Sequence, residues 1–344
     1  MDELVVGGVT RVWIGARPRP EEVLGDVAAR RVAVMVQPGV PATIGRRFAA
    51  DISGTAVPIV IEVPDGEAAK TFAVADEVCR RLAAGGLERS DLIVGVGGGA
   101  LTDLAGFVAG VFLRGIRVHY TPTTLVGAID AAIGGKSGLN LDAKNLVGLF
   151  RHPARVVIDT EVIAGLPRPL LRQGVAEALK AGMIGDPGLV DLLEANGLDA
   201  PAGEVVSRAI RVKTTIVGRD FRDEGERTHL NYGHTIGHAV EVVGGMSHGE
   251  AVAVGMVAAG RASTRLAGFT GEERQRKVIA RLGLPTSASE VSVDAVRGLL
   301  ERDKKRAGGT LRMVVLDEVA RPRVVVVDDA TVTAALAAVG IGEG

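Results

Sequence analysis

Cysteine is all but missing: Cys79 stands alone in 344 residues. That excludes an intrachain disulfide and any metal site built from thiolates. Cys79 falls inside a helical pattern, where a small core residue is expected. Aromatic residues make up 3% of the chain, too few for a base-stacking surface. Neither sign of charge is in excess. The formal net charge is −1, which gives no footing for nucleic acid or a polybasic membrane contact. Long apolar runs are lacking too, since the longest, Ala251–Gly260, is too short to span a bilayer. The opening residues, MDELVVGG, are acidic and carry no signal-peptide pattern. A cytoplasmic enzyme is the expectation, with no nucleic-acid or membrane partner.

What is present is an ordinary globular composition, 47% hydrophobic and 24% charged, long enough for two domains. Short β-branched runs at Val12–Ile14, Arg31–Val36, Val57–Val63, Leu92–Val96, Arg117–Tyr120 and Ala154–Asp159 alternate with helical segments, among them an amphipathic one over Glu67–Ala84. Such alternation predicts an α/β domain, a Rossmann-like parallel sheet flanked by helices. After Asp159 the texture turns helical, at Leu170–Ile184, Pro187–Ala195, Val205–Val217, Glu273–Leu282 and Val293–Ala307. Two strand-like runs return at Leu311–Leu316 and Arg323–Val327. The expected division is 1–162 for the α/β domain and 163–344 for a mainly α-helical, metal-binding one.

The chemistry concentrates in LNYGHTIGHAVEVVGGMSHGE, residues 230–250, which holds three of the six histidines. His234 and His238 are four apart and share a helix face. Gly233 and Gly237 precede them and are read as leaving room beside each imidazole. His248 opens a second apolar helix after a Gly-Gly turn. Converging imidazoles suit zinc or a similar divalent ion, which as a catalytic site also wants a third ligand and an open position. An HxxxH pair by itself is more often a pair of surface or hydrogen-bonded core histidines than a ligand pair. The carboxylate that completes a His2Glu set is Glu177, in GVAEALKAG, with Lys180 one turn on. A Glu–Lys pair at this spacing is commonly a surface pair, but these neighbours are too apolar for a freely exposed face.

Three glycines, Gly97-Gly98-Gly99, end the strand Leu92–Val96 where a helix begins near Leu101. Backbone N–H groups at such a turn can approach a pyrophosphate, although a tight turn alone would read the same. Asp103 is placed in the first turn of that helix, positioned for a cap or for a cofactor's ribose or nicotinamide. Pro64-Asp65-Gly66-Glu67 reads as a turn into a helix, with Lys70 one turn later. The stretch from Asp130 to Asn145 gathers Lys136, Asn140, Lys144 and Asn145 among small residues, which suits a phosphorylated or carboxylated ligand or a polar surface loop. It is no Walker loop, because Asp130 stands where the first glycine is needed.

Assembled in order, PDGEAAK, GGGALTDLAGF, FLRG, PTTL, the Asp130–Asn145 stretch, GVAEALKAG, LNYGHTIGHA, HGEAVAVGM and DKK make a chain that resembles the 3-dehydroquinate synthases, members of the sugar phosphate cyclases, over nearly its whole length. The resemblance implies a metal, zinc or cobalt, on Glu177, His234 and His248. It implies NAD lined by Glu67, Lys70, Gly98, Gly99, Asp103, Thr123, Thr124, Asp130 and Lys144. Lys136, Asn145, Lys180, Lys213, Arg227, Asn231, His238, Lys304 and Lys305 match positions around the substrate's carboxylate, hydroxyls and phosphate. Arg114 matches an arginine that reaches the phosphate site of a neighbouring subunit, which implies a homodimer. The implied reaction converts 3-deoxy-D-arabino-heptulosonate 7-phosphate to 3-dehydroquinate and phosphate. It runs through transient oxidation, phosphate elimination, re-reduction, ring opening and aldol closure, with NAD regenerated.

The chain departs from the family pattern in four places. The stretch from Asn140 to Lys144 is one residue short, and the linker AVEVVGGMS before His248 is short as well. Pro169-Leu170 replaces an Arg-Glu pair, and Gly165 stands where threonine is common. Sister cyclases therefore stay open: amino-dehydroquinate synthases, and valiolone-type synthases acting on sedoheptulose 7-phosphate. That sugar has no carboxylate, so Lys213 and Arg227 argue against it. A metal-dependent alcohol or glycerol dehydrogenase would have little use for so many lysines. A non-catalytic NAD- or metal-binding relative would have no need of the His2Glu set.

Overall fold

The computed structural model of the chain describes residues 2–306 and 309–342. By contact it divides into two compact units: Met1–Leu166 with Lys213–Arg222, and Pro167–Val212 with Asp223–Gly344. The first unit is built on seven strands of one sheet: β1 (Asp2–Val6), β2 (Thr10–Gly15), β3 (Arg31–Val36), β4 (Val57–Glu62), β5 (Leu92–Gly97), β6 (Arg117–Pro122) and β9 (Arg155–Asp159). A separate antiparallel hairpin joins β7 (Lys136–Leu139) to β8 (Val147–Phe150). The sheet order is β1-β2-β9-β6-β5-β3-β4, with every neighbouring pair parallel except β1 and β2. β3, β5 and β9 are buried almost without a break, as expected of parallel strands covered on both faces. Val32, Val34 and Val36 of β3 and Leu92, Val94 and Val96 of β5, with Phe48 and Ala49 from the helix Val40–Asp51 and Ile52 just after it, belong to one core.

From β4, on the outer side of β3, the chain returns to β5 on the inner side. The carboxyl ends of β3 and β5 therefore bound a crevice at a reversal of strand order, the place where open α/β sheets bind ligands. Gln37 follows β3 there, and Gly97-Gly98-Gly99 follow β5.

The amphipathic segment expected over Glu67–Ala84 is not one helix. A single 3-10 turn, Gly66–Ala69, ends at Lys70, and Thr71 starts a new helix, Phe72–Ala84, by accepting the Val74 N–H on its side chain at 3.2 Å. The break frees Lys70 from the helix face and sends its side chain inward, where it is 3% exposed. Cys79 is half-buried rather than a core residue.

The second unit is mainly helical. Its buried centre is the helix His248–Ala267, apolar nearly all round. It packs against the helices His234–Gly244, Arg168–Gly185 and Asp329–Ala338 and against β10 (Arg312–Leu316), which pairs antiparallel with β11 (Pro322–Val326). Among the described residues no helix is long and apolar enough to cross a membrane.

Candidate active site

In the second unit, Gly255 lets two helices approach until a Cβ there would lie 1.8 Å from the Gly233 carbonyl oxygen. A Cβ on Gly237 would meet the Ala251 oxygen at 2.8 Å. The glycines around the histidines thus serve the close crossing of His234–Gly244 and His248–Ala267, not space beside the imidazoles. Gly233, at φ +81, turns the chain so that His234 begins its helix. Ser247 and Glu250 form a capping box that starts the next helix at His248.

Glu177 projects from the middle of Arg168–Gly185 and is 2% exposed. Its Oε1 lies 3.2 Å from His248 Nε2 and 3.5 Å from His234 Nε2. Four tetrahedral ligands at 2.0–2.1 Å from a zinc-sized ion stand about 3.3–3.4 Å apart, so the spacing fits a divalent ion among these three atoms. The ligand atoms all fall within 4.8 Å of one another. His234 Nδ1 faces the Tyr232 carbonyl at 3.3 Å, which leaves Nε2 free to ligate. Lys180, 4% exposed, forms an ion pair with Glu177.

The electrostatics follow from burial. Desolvation alone would raise the Glu177 carboxyl, but Lys180 and the two imidazoles outweigh it and hold it well below the usual carboxylate range. Burial, with Lys180 nearby, pushes His234 down to about 3. Burial also opposes charge on His248, yet its hydrogen bonds to Glu177 and Glu241 prevail and raise it to about 10. His238, a turn beyond His234, has its ring centroid 5.0 Å from that of His234. Arg227 is buried at 3% exposure and Asn231 is exposed, both in the 3-10 segment Glu226–Asn231. The side chains of Lys304 and Lys305 lie outside the described residues.

In the first unit, Lys70 donates to Asp103 Oδ2 at 2.6 Å and to Asn145 Oδ1. The helix after β5 begins at Gly99, so Asp103 sits in its second turn rather than its first. Burial raises Asp103 to about 6 against the pull of Lys70. Asn140 ties the shortened loop down: its amide donates to Glu67 Oε2 at 2.6 Å, and its oxygen accepts the Asn145 N–H at 2.9 Å. Asn145 takes φ +57 to make that turn. Lys144 is exposed, and Lys136 Nζ stands 6.0 Å over the Phe150 ring.

Lys213, 7% exposed, donates to the Asp130 carbonyl at 2.6 Å and to its carboxylate, so it groups with the first unit although it lies far along the chain. Thr123 is buried, and Thr124 Oγ1 accepts the Gly127 N–H at 3.0 Å. No side chain caps the helix at Gly98; the Gly98 N–H donates to Gln37 Oε1 at 3.0 Å. A glycine-rich, uncapped helix start at the crevice of a parallel sheet fits the pyrophosphate of a dinucleotide. Arg114 is exposed at φ +62 beside Leu113 at φ +51.

Sequence reasoning passed over Gln37 and Glu241. Gln37 carried no motif, only its place after a buried strand. Glu241 had a signal, for it falls seven residues after His234 and three after His238, on the same helix face.

Known proteins resemble this chain in sequence and in fold. The family domain described as 3-dehydroquinate synthase N-terminal matches residues 60–173, and the one described as 3-dehydroquinate synthase C-terminal matches residues 174–306. The chain is 43% identical to the 3-dehydroquinate synthase of Thermobifida fusca (strain YX), over 92% of this chain and 92% of that protein. It is 48% identical to the 3-dehydroquinate synthase of Saccharopolyspora erythraea, over 76% of this chain and 74% of that one. Among solved structures, the 2-epi-5-epi-valiolone synthase of Streptomyces hygroscopicus subsp. jinggangensis 5008, with NAD+ and Zn2+ bound, is 27% identical. It superimposes with a TM-score of 0.87 over 98% of both chains.

Proposed function

The chain belongs to the 3-dehydroquinate synthase family, and on that footing we propose that it converts 3-deoxy-D-arabino-heptulosonate 7-phosphate to 3-dehydroquinate and phosphate. The observation that carries the reading is the Glu177–His234–His248 cluster, with Glu177 buried and Lys180 against it. We further assign NAD as the cofactor, zinc or cobalt as the metal, a homodimer in which Arg114 serves the neighbouring subunit, and a cytoplasmic place of work. The bound NAD+ and Zn2+ of the valiolone synthase relative support the first two.

Glu177, His234 and His248 would hold the metal, and the Gly98–Gly99 helix start with Lys70, Asp103 and Asp130 would hold NAD. When bound, NAD+ supplies a reversible hydride acceptor and the ion a positive charge that acidifies a ring hydroxyl. The chain's own groups do the rest. Lys180 keeps Glu177 ionised and adds a cation where an oxyanion develops. Lys213 and Arg227 match the substrate carboxylate, and Lys136, Asn145 and Asn231 match its oxygens. His238, outside the ligand set, would orient phosphate or relay a proton.

The test is phosphate release by the NAD- and zinc-loaded protein from the heptulosonate phosphate and from sedoheptulose 7-phosphate, offered separately. Release from the acid alone, with dehydroquinate formed and no net NADH, is the expected result. Release from sedoheptulose 7-phosphate would transfer the protein to the valiolone-type synthases. Silence with both would point to an amino-substituted substrate or to a protein that has lost its chemistry.

A further inference from the structure

The helix His234–Gly244 carries a third polar residue on its histidine face. His234, His238 and Glu241 fall at steps of four and three, so they line up along one side of the helix. The connection from Gly244 to Ser247 is tight, with Gly245 at φ +62, and it folds His248 back opposite Glu241. Glu241 Oε2 lies 3.2 Å from His248 Nδ1, while Glu177 Oε1 lies 3.2 Å from Nε2 of the same ring.

Two carboxylates therefore bracket one imidazole. The Glu241 side chain is 14% exposed and that of His248 34%, so water only partly screens the contact. Glu250, the other acid nearby, is committed to the cap: its Oε2 accepts from the Ser247 N–H at 3.1 Å and hydroxyl at 2.7 Å.

Given the metal reading above, we propose that Glu241 is a positioning residue that fixes His248 as an Nε2 ligand. An imidazole that ligates through one nitrogen must carry its proton on the other, and a carboxylate accepting that proton sets both tautomer and ring angle and makes the ligating nitrogen more basic. Glu241 meets this requirement for His248, as the Tyr232 carbonyl does for His234. The two histidine ligands thus differ: one is held by a neutral carbonyl, the other by an anion. The short linker before His248 is what brings that anion within reach, since it sets the partners only seven positions apart.

The experiment measures zinc affinity by competition with a chromophoric chelator, on the full chain, for the wild type, Glu241→Gln, Glu241→Ala and His248→Ala. Visible spectra of the cobalt-substituted forms and melting of the metal-free proteins are recorded alongside. Loss of the carboxylate in Glu241→Ala is expected to weaken zinc binding about 10–100-fold. Glu241→Gln, whose amide oxygen still accepts the proton but carries no charge, should recover most of that loss, with the cobalt spectrum moving furthest in Ala and returning only part of the way in Gln. Unchanged affinity and an unchanged cobalt spectrum in Glu241→Ala would overturn the proposal. If Glu241→Ala does not fold, wild-type-like affinity with a shifted spectrum in Glu241→Gln supports it, and a spectrum identical to the wild type overturns it. Should the wild type hold no zinc, or His248→Ala retain it, the metal assignment itself fails. That result is distinct from a silent Glu241.

Discussion

Gly255→Ala adds one methyl group at the crossing of the two helices that carry His234 and His248. Its carbon would stand 1.8 Å from the Gly233 oxygen and 2.8 Å from the Gly237 nitrogen, and both are backbone atoms with no rotamer to escape into. Reaching even a 3.0 Å contact requires the helices to part by about 1.2 Å. Metal sites tolerate ligand displacements of about 0.2 Å, so the shift exceeds the tolerance roughly sixfold. Overpacking of this kind costs about 1–3 kcal/mol, and a backbone clash belongs at the upper end. For a chain of this size that lowers the melting temperature by several degrees, at about 2–4 °C per kcal/mol. Metal retention should fall further than stability does, because the displacement acts directly on the ligand spacing of 3.2–3.5 Å. Thermal unfolding with and without zinc, together with metal content after dialysis, measures both effects. A Gly255→Ala protein with wild-type melting and full zinc would refute the view that this crossing sets the ligand spacing.

Two further outcomes follow from the buried charges. Asp103 is raised to about 6 in the folded chain, against about 3.9 for an unfolded aspartate. Between those values the native state binds more protons than the unfolded one, so its contribution is complete below about pH 3.9 and is lost as pH rises through about 6. The difference is on the order of 3 kcal/mol, and urea unfolding of the wild type and Asp103→Asn across that window should show it vanish in the variant. Lys180→Met leaves Glu177 buried without its ammonium, a loss of roughly 3–5 kcal/mol in the metal-free protein. Zinc restores a positive charge beside Glu177, so the melting point of the variant should rise more on adding zinc than that of the wild type. Equal rises would contradict the pairing.

Most sheet strands were legible because burial on both faces writes them as valine-rich apolar runs, as in β3 and β5. The long helices of the second unit were legible from their periodicity, to within a few residues at each end. β1 was not, since DELVV pairs with β2 only through a hairpin turn at Gly7 and Gly8 that no alternation announces. The hairpin of β7 and β8 escaped too, because KSGL and VGLF are short and glycine-rich. In Glu67–Ala84 helical periodicity ran straight through a real break, because Thr71 suits a cap as well as a helix interior. The His2Glu cluster was visible as residue types and spacing. Its orienting partners were not, because a backbone carbonyl such as that of Tyr232 has no signature in sequence.

Lys213–Arg222 belongs by contact to the first unit, although Pro167–Val212 of the second comes before it. On the ribosome, then, the parallel sheet is synthesised well before the lysine that donates to Asp130, and synthesis at about 5–20 residues per second puts several seconds between them. Throughout that interval the nascent unit lacks Lys213. A fragment ending at Leu166 would be a permanent version of that intermediate, so isolating the α/β unit calls for grafting the later segment back rather than trimming the chain at one point.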